Sequence, residues 1–95
     1  MDPHDTPGTV SIPIEGTLDL HTFAPAEVDE LVPEYLRECR AAGLLQVRIV
    51  HGKGMGALRR KVHALLARMP EVAGFSLADA GAGGWGATLV NLRPP

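Results

Sequence analysis

A two-layer α/β sandwich is the fold class this sequence predicts, with two helices covering a small mixed sheet of four to five strands. Three observations carry that expectation. Short β-branched and apolar runs alternate with two stretches of helical periodicity. Read in order, the elements form a βαβαββ core preceded by one edge strand. An apolar content of 45% in 95 residues suffices for one core and places the chain among globular domains rather than disordered ones.

The N-terminal stretch, residues 1–9, is rich in Pro, Asp and Gly and reads as a flexible arm before a single domain over 10–95. Val10, Ile12 and Ile14 alternate with Ser11 and Pro13, the pattern of an edge strand, because Pro cannot donate to a ladder. Gly16 interrupts the chain and Thr17–His21 resumes it as a short strand. From Pro25 to about Ala42, Val28, Leu31, Val32, Tyr35, Leu36 and Cys39 recur at spacings of three and one, a single helical face. Pro25 suits the first turn, Glu27 and Asp29 complement the dipole there, and Gly43 ends the helix. Pro33 lies inside the pattern and predicts a kink, since it removes a helical donor at a cost of about 3 kcal/mol.

Gln46–Val50 is β-branched and bounded by turns, so it predicts a central strand. Leu58, Val62, Leu65, Leu66 and Met69 form the stripe of a second helix ended by Pro70. Val72–Leu77 predicts a strand, Asp79–Gly86 a flexible loop with four glycines, and Ala87–Leu92 a closing strand.

Several function classes drop out on composition. No apolar run approaches the roughly 18–20 residues that cross a bilayer, and Met1–Asp5 lacks a secretory pattern, so a cytoplasmic protein without a membrane partner is expected. Cys39 is alone, and the scattered histidines show no zinc-ligand spacing, so neither a disulfide nor a structural metal is expected. The composition is compatible with a monomer. The net charge of −2 argues against nucleic-acid binding, but its distribution argues the other way. Seven acids and one arginine lie between Glu15 and Glu38; six Lys or Arg and no acid lie between Gln46 and Pro70. A local positive surface is therefore expected around the second helix.

Two strings bear the chemistry: Leu18-Asp19-Leu20-His21 and His51-Gly52-Lys53-Gly54-Met55-Gly56. Each places a histidine at the end of a strand-like run, and parallel strands would set both on the sheet edge where α/β proteins bind ligands. Gly52, Gly54 and Gly56 permit successive amides to converge at a helix start, with Lys53 and Arg59 adding charge. That string is either an anion cradle or a tight turn that merely needs glycine. Asp19 and His21, two apart on a strand, face the same side. A carboxylate there can fix the imidazole tautomer, as a general base requires; otherwise the strand end simply turns its polar side to solvent, or a buried Asp caps neighbouring backbone amides. Arg59-Arg60-Lys61 is a nucleic-acid contact or a solvated face. Trp85, between glycines, could stack on a base or fold back as a lid. His63, one residue off the apolar stripe, reads as an exposed helix residue.

These strings, with Leu58-Arg59 and Gly84-Trp85-Gly86-Ala87-Thr88, resemble the three motifs of the Smr (small MutS-related) domain family, over roughly Ile14 to Leu92. The resemblance implies a fold like the C-terminal domain of translation initiation factor three. It also implies nucleic-acid partners, DNA or RNA, with nicking endonuclease or ribonuclease activity in some members and a link to DNA repair and recombination. Asp19 and His21 fall on the first motif, the proposed catalytic strand end; His51, Gly52, Gly54 and Gly56 fall on the second. Where the family commonly has Gly after the first histidine and a Ser or Thr helix cap, this chain has Thr22 and Ala24.

The mechanism then expected has the glycine-string amides, Lys53, Arg59 and Arg60 on phosphate, with Trp85 contributing to the nucleic-acid contact. His21 or His51 is the acid/base, with Asp19 orienting an imidazole or binding a divalent cation. One Asp is thin ligation for two metals, so metal dependence should be weak. The alternatives are a non-catalytic nucleic-acid module and a protein-interaction module that docks a basic partner on the acidic first helix.

Overall fold

The computed structural model describes residues 16–52, 56–78 and 86–95. The expected strand at Val10–Ile14, together with Lys53, Gly54 and Trp85, lies outside the described residues. Six elements follow in order: β1 (Thr17–Asp19), α1 (Pro25–Ala41), β2 (Gln46–Val50), α2 (Ala57–Arg68), β3 (Val72–Leu77) and β4 (Ala87–Leu92). They build a mixed four-stranded sheet in the order β1-β2-β4-β3. β1 runs parallel to β2, and β4 runs antiparallel to both β2 and β3. The register pairs Asp19 with Val50 and Val50 with Ala87, so three chain segments end or begin at one rim of the sheet.

Burial follows the expected faces. β2 alternates, with Val47 and Ile49 buried, and they join Leu18, Leu20 and Val90 in the core. α1 contributes Val28, Val32, Tyr35, Leu36 and Cys39, while α2 contributes Val62, Leu65 and Leu66. The free thiol of Cys39 is buried among them.

Local chemistry explains the ends. α1 stops in a Schellman arrangement: the amide of Leu44 donates to the Cys39 carbonyl at 2.8 Å and that of Gly43 to the Arg40 carbonyl at 3.1 Å. Gly43 holds the left-handed φ of 82° that this closure demands. At its start, α1 has Ala24 at the N-cap in extended geometry and no side-chain cap bond. The helix runs unbroken through Pro33. The carbonyl that loses its donor is that of Asp29, an exposed residue, where water can take the place of the missing amide.

β1 is shorter than its sequence pattern predicts, ending at Asp19 rather than His21. Asp19 itself ends it. Its carboxylate accepts the His21 amide at 3.0 Å, and the Phe23 amide then closes on the Leu20 carbonyl at 3.0 Å, so a turn replaces the last strand residues. Thr22 sits in that turn without a left-handed φ, so no glycine is needed there.

Candidate functional site

The parallel β1–β2 pair and the antiparallel entry of β4 bring three sequence segments to one rim. Leu20 donates its amide to the Val50 carbonyl at 2.9 Å, continuing the β1 ladder past Asp19. Across the same rim the amides of His51 and Gly52 both donate to the Gly86 carbonyl, each at 2.8 Å. Gly52 adopts φ 83°, which turns the chain out of β2.

Asp19 and His21 meet on the exposed side of this rim. His21 Nδ1 lies 2.8 Å from Asp19 Oδ1, with the two side chains 74% and 50% exposed. The backbone amide of His21, followed by its ring, holds the Asp19 carboxyl below the usual carboxylate range. A carboxylate cannot donate, so Nδ1 carries the proton and Nε2 is the basic atom of the neutral ring. Asp19 thus acts as turn cap and imidazole partner at once. The pair is wet and screened, so as an ion pair it contributes little to stability.

His51 is unlike His21. It is buried, and both its ring nitrogens are engaged: Nδ1 lies 3.1 Å from the Gly52 carbonyl and Nε2 2.8 Å from Thr88 Oγ1. Thr88 is fully buried on β4, and its hydroxyl meets a second ring, His63 Nε2, also at 2.8 Å. The two rings stand edge to face at 6.1 Å, and His63 also packs on Phe75 at 5.0 Å. Burial lowers the pKa of both imidazoles, and the Arg59 charge adds to the effect on each.

His63 is therefore not the exposed helix residue its position beside the apolar stripe predicts. Its offset from Val62 points it to the flank of α2 that meets β3 and β4, where a hydroxyl waits. The signal that could have pointed to a buried partner is Thr88, a β-branched polar residue two and four positions from Val90 and Leu92 on the core face of β4.

The start of α2 supplies the charge. Gly56 caps it at φ 82°, with no acid in the first turn. The guanidinium groups of Arg59 and Arg60 fold back over this glycine: a Cβ there would lie 3.1 Å from Arg59 Nη2 and 3.2 Å from Arg60 Nη1. Phe23 and Pro25, just past the His21 turn, share a cleft of about 610 Å³ with Ala57, Leu58, Arg60 and Lys61. The first-motif turn and the α2 start are thus neighbours in space. A larger, shallow depression runs along α1 beside Asp29, Glu30, Glu34 and Glu38, and Asp29 reaches across to Lys61 of the cleft at 3.1 Å. Among the described residues, no three His, Cys, Asp or Glu side chains converge as a metal site would require.

The Smr domain family model matches residues 18–93. The chain belongs to the Smr domain family. The Smr domain of Thermus thermophilus MutS2 superposes with a TM-score of 0.78 at 44% identity, covering 82% of this chain and 98% of that one. YdaL, a stand-alone small MutS-related protein from Escherichia coli, gives a TM-score of 0.78 at 30% identity, covering 85% of this chain and 66% of that one. Endonuclease MutS2 of Clostridium tetani is 38% identical over 80 residues, which is 84% of this chain and 10% of that protein. This Smr domain accordingly spans about a tenth of the length of the MutS2 relatives it matches.

Proposed function

We propose that this Smr domain binds the phosphate backbone of DNA or RNA at the rim formed by the ends of β1 and β2 and the start of α2. The observation that carries the proposal is the α2 N-terminus. There a glycine cap, two guanidinium groups folded over it and a first turn without an acid create a compact positive site on a chain of net charge −2, with Asp29 of α1 pairing to Lys61 at its margin, 3.1 Å away. Gly52, Lys53, Gly54 and Trp85 join this interface on the strength of their sequence positions. Similarity to endonuclease MutS2 supports a nuclease-related role.

In the catalytic form of the proposal, His21 Nε2 takes a proton from water as its oxygen bonds to phosphorus, one ester P–O bond of the backbone breaks, and the departing sugar oxygen takes a proton from solvent, while Asp19 holds Nδ1–H. Arg59 and Arg60 offset the charge developing on the phosphate oxygens. His51, with both ring nitrogens engaged inside the fold, contributes by holding the loop exit. Asp19 could also contribute one ligand to a divalent cation brought with the substrate. A place in DNA repair or recombination and a cytoplasmic location belong to the same proposal.

The test is binding of labelled single-stranded, duplex and branched DNA and RNA across a salt series. Arg59→Ala and Arg60→Ala should each weaken binding and reduce the salt slope by about one. Absence of salt-sensitive binding to every substrate overturns the proposal. Nicking that vanishes in Asp19→Ala and His21→Gln assigns catalysis; nicking unchanged in both assigns a non-catalytic binding module. The acidic depression on α1 favours one further reading, a docking face for a basic protein, which capture of a partner at high salt without nucleic acid would support.

A further inference from the structure

We propose that His63 is a positioning residue for this rim, acting through Thr88 to fix the tautomer and orientation of His51 and, with them, the loop exit at Gly52. The inference rests on the proposed nucleic-acid function of the rim and adds a residue outside its motifs.

The argument is a chain of forced donors. The Gly52 carbonyl can only accept, so the ring atom 3.1 Å from it, His51 Nδ1, must carry the proton. A neutral His51 is then an acceptor at Nε2. Thr88 Oγ1, 2.8 Å away, is the partner found there, so its single hydroxyl proton goes to His51. Having donated that proton, Thr88 can only accept from His63, whose Nε2 must therefore be the protonated atom. Proton order runs one way along three bonds, from His63 through Thr88 and His51 to the backbone of Gly52.

The Gly52 carbonyl selects the His51 tautomer from one end, and the His63 donor keeps the Thr88 proton aimed at His51 Nε2 from the other, so the order holds only while both ends do. Without the His63 donor, the Thr88 hydroxyl is free to rotate, and His51 can release Gly52 or adopt the other tautomer. The Thr88 side chain is fully buried, so no bulk solvent replaces a lost partner cheaply. The place where this loosening emerges is Gly52, whose amide is also tied to Gly86. Beyond Gly52 the chain leads to Gly56 and the two arginines. His63 lies one helical turn after Arg59 and feels its charge, so the His51 tautomer is the readout that separates the route through Thr88 from a direct effect on Arg59.

The test pairs His63→Leu, which removes the donor, with His63→Gln, whose side-chain amide can donate from a similar reach. Nuclear magnetic resonance of ¹⁵N-histidine protein reads which ring nitrogen of His51 carries the proton. Affinity is read with whichever labelled oligonucleotide the unaltered protein binds. We expect His51 protonated at Nδ1 in the unaltered protein and in His63→Gln, and a mixed tautomer in His63→Leu. Oligonucleotide binding should weaken about fivefold to tenfold in His63→Leu and recover in His63→Gln. Should His63→Leu fail to fold, Thr88→Val against Thr88→Ser makes the same comparison from the middle of the chain. A His51 tautomer unchanged in the donor-less variants, or altered with affinity unchanged, overturns the proposal. If the unaltered protein binds no nucleic acid, the functional reading of the rim falls, and the tautomer alone then decides whether His63 positions His51.

Discussion

The hydroxyl of Tyr35, in the middle of α1, donates to the carbonyl of Thr17, the first residue of β1, at 3.1 Å. β1 is only three residues long and pairs on one side alone within the described sheet, so this bond from the helix is a substantial share of what holds it. The strand in turn places Asp19. Tyr35→Phe should cost about 1 kcal/mol, lowering the melting temperature by several degrees in a domain of this size. Thermal unfolding followed by circular dichroism checks this; an unchanged midpoint would mean the edge strand is held by its ladder and core residues alone.

Gly43 and Gly56 share a φ of 82° but not their surroundings. A Cβ at Gly43 meets nothing within 4 Å, whereas one at Gly56 meets both guanidinium groups. Gly43→Ala and Gly56→Ala should each destabilise the fold by about 1–2 kcal/mol from backbone strain. Only Gly56→Ala should also weaken oligonucleotide binding, because Arg59 and Arg60 must shift to admit the methyl group. Urea unfolding and a binding titration on the two variants separate strain from charge placement. Equal losses of affinity in both would refute the placement.

Stability should fall with acid in the range where imidazoles titrate. Burial, with the Arg59 charge reinforcing it, holds His51 and His63 below the ordinary imidazole value of 6.5. Below about pH 6.5 the unfolded chain therefore takes up protons that the folded chain refuses, so their contribution is complete above that pH and is lost as pH falls through the folded values. Urea midpoints should be level between about pH 8 and 7 and lower at about pH 5.5, with a smaller decrease in His63→Gln. A midpoint flat across that range would show that both rings accept protons in place.

The uncapped start of α1 can be improved. Ala24 already has N-cap backbone angles, φ −69° and ψ 149°, without a side-chain acceptor. Ala24→Ser should add about 0.5–1 kcal/mol, seen as a raised urea midpoint with an unchanged slope. Ala24→Gly, which offers no acceptor, should not match it.

Much of this architecture is legible in the sequence because it rests on periodicity and punctuation. The faces of α1 and α2, the alternation of β2 and the Gly43 stop are local properties, and the structure places them as the pattern predicts. The shared rim of the two histidine strings follows from two parallel strands joined by a helix. The pairing of His63 with Thr88 was not legible, because which flank of α2 is covered depends on β4 lying between β2 and β3. The pattern of Ala87–Leu92 does not contain that order. At Asp19 the amide cap was among the sequence's alternatives, but the early end of β1 was not, because strand alternation and an Asp-capped turn both bring residues i and i+2 together.

The position of β4 also has a temporal consequence. It is the last of the six elements among the described residues, yet it occupies the interior of the sheet, joining β2 to β3. During synthesis, among the described strands, β2 has β1 alone beside it and β3 has no partner until the residues up to Leu92 have left the ribosome. Thr88 arrives with that strand, so the two imidazoles have no common hydroxyl before then. The sheet and its rim are thus completed in one late event, and a chain cut short of β4 would expose the unpaired sides of β2 and β3 to whatever other chains are nearby.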